Sequence, residues 1–292
     1  MKGRIIKGIA GFYYVLAEDA ITYECKAKGA FRHDNMKPMV GDYVEIEIVS
    51  ADLAVGNIER ILGRRNELLR PAVANVDQAL VIFAVKTPDP NMNLLDRFLI
   101  MTDSRNVPAL VCMNKADLIT KKDKQEIAEI YRDAGCDFFF TSTKTGEGIE
   151  QLKGKLSGKT TTVAGPSGVG KSSLVNLLLG ADHMETGDLS EKIERGKNTT
   201  RHSELICIGN DSFLMDTPGF TSLELRGMDK NRLRLYYPEF EAVEGECRFD
   251  GCSHTHEPGC VVKQRLAEGL IHRIRYENYC QMYQELSAQR KY

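Results

Sequence analysis

Tryptophan is absent from the 292-residue chain, no tract is of low complexity, and the formal net charge is only -2. With 42% apolar and 27% charged residues and no biased stretches, the composition is that of a folded globular chain and excludes extended disorder. A balance so close to neutrality excludes coating of nucleic acid by bulk electrostatics, so any RNA contact must come from local patches. Long apolar runs are missing too. The longest strong one, Ala79 to Val85, has seven residues, against the roughly eighteen that a membrane helix needs. The amino-terminal stretch MKGRIIKGIAGFYYVLA has a positive start, but Lys7 interrupts its apolar run and no small-residue cleavage pattern follows, so it reads as two short strands. A cytoplasmic monomer without membrane or DNA partners is the expectation. Eight cysteines are present, yet three of them crowd with a histidine into one short segment while the others are scattered singly. That pattern argues against a disulfide framework and for a metal.

The length suits two or three folding units. From Met1 to about Leu62, the short runs RIIKGI, FYYVLA, ITYECKAK, DYVEIEIV and GNIERIL alternate with glycine or polar turns. Five strands in so short a stretch predict a closed barrel of the OB type, taken as residues 1–64. Within it, KAKGAFRHDNMK sets Lys26, Lys28, Arg32 and Lys37 around Phe31, which reads either as a basic and aromatic RNA surface or as a solvated turn.

From about Asn75 strands alternate with helices: QALVIFAV, a buried strand; NLLDRFLIMTDSR, with Leu95, Phe98, Leu99 and Met101 near one helical face; and PALVCMNK, a second buried strand. KKDKQEIAEIYRDAG then predicts an amphipathic helix ending at Gly135, DFFFTS a strand, EGIEQLKGKL a helix, TTTVAG a strand and KSSLVNLLLG a helix. ELICIGNDSFLMD reads as a hairpin turning at Gly209 to Asp211. Such alternation predicts a mostly parallel α/β sheet covered on both faces, over residues 65–220. Residues 221–292 read as a helical module with a Cys/His cluster, and its tail carries Val262, Leu266, Leu270 and Ile274 at helical spacing.

GxxxxGK[ST] is matched by Gly165, Gly170, Lys171 and Ser172, between a predicted strand and a predicted helix. The loop Gly165, Pro166, Ser167, Gly168, Val169 and Gly170 can turn backbone N–H groups onto phosphates, and the helix opening through Ser172 and Ser173 adds its dipole. Lys171 is placed to reach the β and γ phosphates, and the Ser172 hydroxyl to bind magnesium. Asp216 to Gly219, DTPG, follows the strand SFLM where a second magnesium-side carboxylate is expected, with the Gly219 N–H facing the γ phosphate.

Asn114 to Asp117, NKAD, ends a buried strand. There Asp117 can accept from guanine N1–H and the exocyclic amine, whereas adenine would leave the carboxylate facing no donor. Lys115 can lie across the base plane and Asn114 can tie this loop to the phosphate loop. Thr141 to Lys144, TSTK, resembles the loop that contacts the base from its other side through Ser142, Thr143 and Lys144. Between phosphate loop and carboxylate lies RGKNTTRH, in which Thr199 or Thr200 is the candidate to complete magnesium coordination when the γ phosphate is present.

These motifs come in an unusual order, because the base-reading NKAD precedes the phosphate loop. A parallel sheet binds its ligand at the strand carboxyl ends whatever order the chain visits them in. Joining the old ends and opening the domain elsewhere keeps the site and moves the termini. The segment CRFDGCSHTHEPGC adds Cys247, Cys252, His254 and Cys260, a closed tetrahedral zinc set of structural type, with His256 as a competing nitrogen ligand.

Taken together, NKAD before GPSGVGKS, then GKNTTRH, DTPGF and C-x4-C-x-H-x5-C resemble the circularly permuted bacterial family called ribosome small subunit-dependent GTPase A, over essentially the whole chain. The resemblance implies an OB-fold, a permuted GTPase domain and a zinc-binding helical domain acting in late maturation of the small ribosomal subunit. It also implies contact with the subunit's rRNA and GTP hydrolysis stimulated by the subunit, and it maps the zinc ligands onto Cys247, Cys252, His254 and Cys260. One departure is Asn198, where the family often has a histidine before the Thr pair; His202 lies nearby. Phe220 occupies the place of the water-orienting Gln of Ras-like enzymes, which predicts slow intrinsic turnover. A signalling GTPase with a protein partner, or an RNA-binding assembly module with structural GTP, are the alternative readings.

Overall fold

The computed structural model describes residues 1–27, 37–69, 72–180, 204–209, 211–216, 225 and 227–289, with only the backbone of Leu69 and Asp216. The chain forms two compact units: residues 1–80, 151–164 and 172–220 in one, and 81–150, 165–171 and 221–292 in the other.

In the first unit, β1 (Lys2–Ile9), β2 (Phe12–Ala17), β3 (Thr22–Ala27), β4 (Tyr43–Ser50) and β5 (Val55–Ile61) close into a barrel in the order β1-β2-β3-β5-β4. β1 pairs with β4 to close it, and β3 runs parallel to β5. Alternation explains the closure: Ile5, Val15, Tyr23, Cys25, Val44, Ile46 and Ile58 all turn inward and are buried. This is the OB-type barrel that the five short runs predict. Of its basic and aromatic patch, Lys28, Phe31 and Arg32 lie outside the described residues; Lys26 packs its ammonium 5.1 Å from the Phe12 ring centre. A two-stranded ribbon, β6 (Glu67–Leu69) and β7 (Ala72–Ala74), follows. It is approached by Arg64, which grips the buried Asp42 carboxylate through two hydrogen bonds of 2.7 and 2.8 Å.

Next in the chain come β8 (Gln78–Ala84), α1 (Met92–Asp103), β9 (Ala109–Asn114), α2 (Lys121–Ile130), β10 (Asp137–Phe140), α3 (Ile149–Leu156), β11 (Thr160–Ala164), α4 (Lys171–Leu179), β12 (Leu205–Cys207) and β13 (Phe213–Asp216). Six of these strands form a sheet in the order β10-β9-β8-β11-β13-β12. β10 is parallel to β9 and β11 to β13, while β12 closes an antiparallel hairpin on β13. Every residue of β8 and of β11 is buried, as expected of central strands read as unbroken apolar or β-branched runs. Within the first unit the barrel strand β1 touches the hairpin: Lys7 pairs with Glu204 at 3.0 Å, and the Arg4 guanidinium lies 5.0 Å from the ring centres of both Tyr43 and Phe213.

The second unit ends in a helical module of a 3-10 segment (Lys230–Tyr236), α5 (Pro238–Glu241), α6 (Val261–Ala267) and α7 (Arg273–Ala288). Its core gathers Leu233, Tyr237, Phe240, Val262, Tyr279 and Met282 with Ile100 of α1. Three sequence expectations need correcting here. α2 stops at Ile130, not at Gly135, because the Tyr131 ring leaves the helix to stack on Phe138 with centres 5.5 Å apart. On α1, Leu95, Phe98 and Leu99 are buried as expected, but Met101 is half-buried and Asp96 and Ile100 are buried instead. The spacing Val262, Leu266, Leu270, Ile274 does not belong to one helix. Gly269, at φ +74°, terminates α6, with the Leu270 N–H returning to Arg265 O at 2.9 Å, and Leu270 is left 53% exposed.

α1 and α7 are joined by buried charge. Arg275 donates to Asp96 at 2.5 Å and to Glu239 at 2.8 and 3.3 Å, and Asn278 donates to the second Asp96 oxygen at 2.7 Å. Tyr237 adds its ring face 4.4 Å from the guanidinium. Burial pushes the Asp96 carboxyl up, against the opposing pull of Arg275 and Asn278.

Candidate nucleotide site and metal centre

β11 delivers the chain into the loop Gly165 to Gly170, and α4 begins at Lys171, so the loop ends on a helix amino terminus whose partial positive charge favours an anion. Gly165 is required sterically. A Cβ there would sit 2.1 Å from Ile82 O, and its φ of +141° is one that side chains rarely adopt. Lys171 donates from Nζ to the carbonyls of Gly165 and Pro166 at 2.9 and 2.6 Å, which folds its ammonium back over the loop.

Two groups of the NKAD loop reach this same phosphate loop. Asn114 Nδ2 donates to Val169 O at 2.9 Å, and Lys115 Nζ donates to Gly168 O at 2.8 Å and to Thr87 O. The Asn114 tie to the phosphate loop is the one that the sequence predicts. Lys115 adopts a left-handed φ of 62° that turns the chain from β9 toward Asp117. Ser142 donates its hydroxyl to Asp117 Oδ1 at 2.6 Å and accepts the N–H groups of Lys144 and Thr145 at 3.2 Å each, so one hydroxyl joins the TSTK loop to the base-reading carboxylate. That hydrogen bond is the main reason the Asp117 carboxyl lies below the usual carboxylate range.

Behind them, Thr141 donates to Asn114 Oδ1 at 3.3 Å and contacts the buried Cys112 sulfur at 3.0 Å. Thr87 and Thr141 are missing from the sequence-based set. Thr87 acts through its carbonyl, for which residue type gives no signal, whereas Thr141 stood inside the TSTK match. In the first unit, β13 places the Asp216 backbone opposite Val163 of β11, two residues before Gly165 in the chain. Thr199, Thr200 and Gly219 lie outside the described residues, as do Asn198, His202 and Phe220.

The second cluster brings together Cys247, Cys252, His254 and Cys260, whose donor atoms all lie within 4.8 Å of one another. Cys247 and Cys260 sulfurs are 3.9 Å apart, and His254 Nδ1 is 3.6 and 3.4 Å from them. A tetrahedral zinc with bonds of about 2.3 Å to sulfur and about 2.0 Å to nitrogen separates two sulfurs by about 3.8 Å and a sulfur and nitrogen by about 3.5 Å. The donor set therefore fits. Burial pushes the Cys252 thiol up to about 12 and the Cys260 thiol up as well, while the backbone N–H groups of His254 and Lys263 oppose it; the Val261 N–H points at Cys247 over 3.4 Å. His256 is no competitor in this geometry: it is exposed, with Nδ1 2.9 Å from the Thr255 hydroxyl. None of the eight cysteines is in a disulfide, and no helix among the described residues is long and apolar enough to cross a membrane.

A phosphate loop between strand and helix, stitched to a guanine-reading loop that precedes it in the chain, defines a circularly permuted P-loop GTPase, a hydrolase acting on GTP. Residues 61–226 match the family described as RsgA GTPase, and residues 2–55 the RsgA N-terminal domain. The chain belongs to the RsgA GTPase family. It is 56% identical to the small ribosomal subunit biogenesis GTPase RsgA of Agathobacter rectalis, with 100% of both chains covered, and 47% identical to the protein of that name from Clostridium perfringens, with 99% of each covered. Among solved structures it is similar to YloQ, described as a circularly permuted GTPase, at TM-score 0.82 and 35% identity over 100% of this chain and 96% of that one. It is also similar to YjeQ from Thermotoga maritima, at TM-score 0.83 and 35% identity over 99% of each.

Proposed function

We propose that this GTPase binds the small ribosomal subunit through protein and rRNA, assists its late maturation, and hydrolyses GTP to GDP and phosphate fastest when bound there. The observation that carries the reading is the pair of ties from Asn114 and Lys115 to Val169 and Gly168, which bring the NKAD loop onto the loop Gly165 to Gly170. The names of relatives matched over their full length supply the ribosomal partner. The organisation we infer is a barrel over 1–64, a permuted GTPase domain over 65–220 and a zinc-binding helical domain over 221–292, in a cytoplasmic monomer.

In this reading Asp117 selects guanine by accepting two hydrogen bonds, with Asn114, Lys115, Ser142, Thr143 and Lys144 framing the base. Backbone N–H groups from Gly165 through Ser173 receive the phosphates, Lys171 holds the β and γ phosphates, and the Gly219 N–H faces the γ phosphate. Magnesium, held by the Ser172 hydroxyl, the Asp216 carboxylate and Thr200, would neutralise charge between those phosphates. Cys247, Cys252, His254 and Cys260 would hold one structural zinc that fixes a loop with little core of its own.

Phe220 has no donor or acceptor for the attacking water, so turnover by the chain alone is slow and the subunit supplies what the chain lacks, by ordering the switch residues or by adding a group. The test is GTP turnover by the isolated protein, with purified small subunits, and with ribosome-free lysate. Acceleration by subunits alone is expected. Equal rates with and without subunits would overturn the proposal, and acceleration by the lysate would favour a signalling GTPase.

A further inference from the structure

Resting on the zinc reading above, we propose that Glu257 is the residue that positions His254 as a metal ligand, so that the affinity of the Cys3His site is set by a carboxylate that is not itself a ligand. A zinc-binding imidazole is ordinarily oriented by a hydrogen bond from its other ring nitrogen to a carboxylate or carbonyl. His254 has no such partner: Nδ1 faces the sulfurs, and Nε2 is buried without a hydrogen bond among the described residues. The ring is held instead by packing, edge-on to Phe240 with centres 5.7 Å apart.

His254 also has a left-handed backbone, φ 58°, a conformation that a residue with a Cβ rarely adopts unless its surroundings enforce it. The enforcement comes from Glu257. One carboxylate oxygen accepts the Ser253 N–H at 2.8 Å and the Ser253 hydroxyl at 2.5 Å. The other accepts the N–H groups of Thr255 and His256 at 3.1 and 3.2 Å. The Cys252–Ser253, His254–Thr255 and Thr255–His256 peptides, which bracket His254, are thus tied to one side chain. From α7, Tyr279 and Tyr276 donate to the carbonyls of Ser253 and His254 at 2.7 and 2.8 Å. The tyrosine bonds hold the carbonyls of the two peptides next to His254, and the Glu257 bonds close the turn around them and so set the direction of Nδ1. One side chain thus bonds at Ser253, Thr255 and His256, on either side of His254.

The experiment compares full-length wild-type protein, Glu257→Gln and Glu257→Ala by competition for zinc against a chromophoric chelator, with the visible spectrum of the cobalt-substituted forms and GDP binding measured alongside. Removing an outer partner of a metal ligand typically weakens metal affinity about 10–100-fold, and Glu257→Ala is expected to fall in that range. Glu257→Gln, which keeps one acceptor oxygen, should fall between. The tetrahedral cobalt bands should weaken in the same order, and GDP affinity should be unchanged. A purely structural Glu257 would lower the stability of metal-bound and metal-free protein alike and leave zinc affinity within about twofold of wild type; that result overturns the inference. Should Glu257→Ala fail to fold, Glu257→Gln decides by the same criterion. Wild-type protein that binds no zinc would instead bring down the zinc reading, and this inference with it.

Discussion

The smallest unit of the account is a hydroxyl. Ser142 donates to Asp117 while accepting two backbone N–H groups of the following loop, so it both aims the carboxylate proposed to read the base and stabilises its charge. The sign of the pH effect follows. A carboxyl whose pKa is lowered is fully ionised above the ordinary carboxylate range, and what its charge contributes is lost only as the pH falls through the lowered value. Guanine binding that depends on Asp117 should therefore hold from neutral pH down through about pH 4. In Ser142→Ala the carboxyl loses its main stabilising partner, so GDP affinity should be weaker at neutral pH and should begin to fall at a higher pH than in wild type. GDP titrations of both proteins between about pH 4 and pH 7 check this; coincident profiles would remove Ser142 from the positioning role.

At the scale of elements, the joint between α1 and α7 is carried by Asp96, Arg275 and Glu239, all nearly or fully buried. Taking one partner from a buried ion network leaves uncompensated charge, at a cost of about 3–5 kcal/mol. Arg275→Ala should lose stability on that scale in denaturant unfolding, and a loss below about 1 kcal/mol, the range of exposed pairs, would contradict the burial. Nothing in the sequence announces this pair. The two residues stand 179 positions apart, and an arginine on a helix rich in polar residues reads locally as solvated. The barrel strands, the β8 and β11 strands and the meeting of the NKAD, TSTK and phosphate loops were legible because each is encoded by neighbours: alternation, an unbroken apolar run, or a loop of characteristic residue types. Helix ends were less so. α2 stops early because Tyr131 is drawn to Phe138, and the split between α6 and α7 turns on Gly269, a capping signal overridden in the sequence reading by the apolar spacing across it. In the Cys3His loop the cluster was legible and Glu257 was not, because three of its four hydrogen bonds run to backbone groups that carry no residue label.

For the whole molecule, rotation of the chain order leaves the chemistry in place. Strand carboxyl ends, not chain order, decide where loops meet, and here the loop after β9 reaches the loop after β11 although it comes first in the chain. All of this depends on the proposal that a single site reads guanine with Asp117 and grips phosphate with Lys171. The most direct measurement is the nucleotide preference of Asp117→Asn, with Lys171→Ala alongside. An Asn there donates where xanthine accepts, so hydrolysis should shift from GTP to XTP, while Lys171→Ala loses both. An Asp117→Asn protein that still prefers GTP would contradict the account.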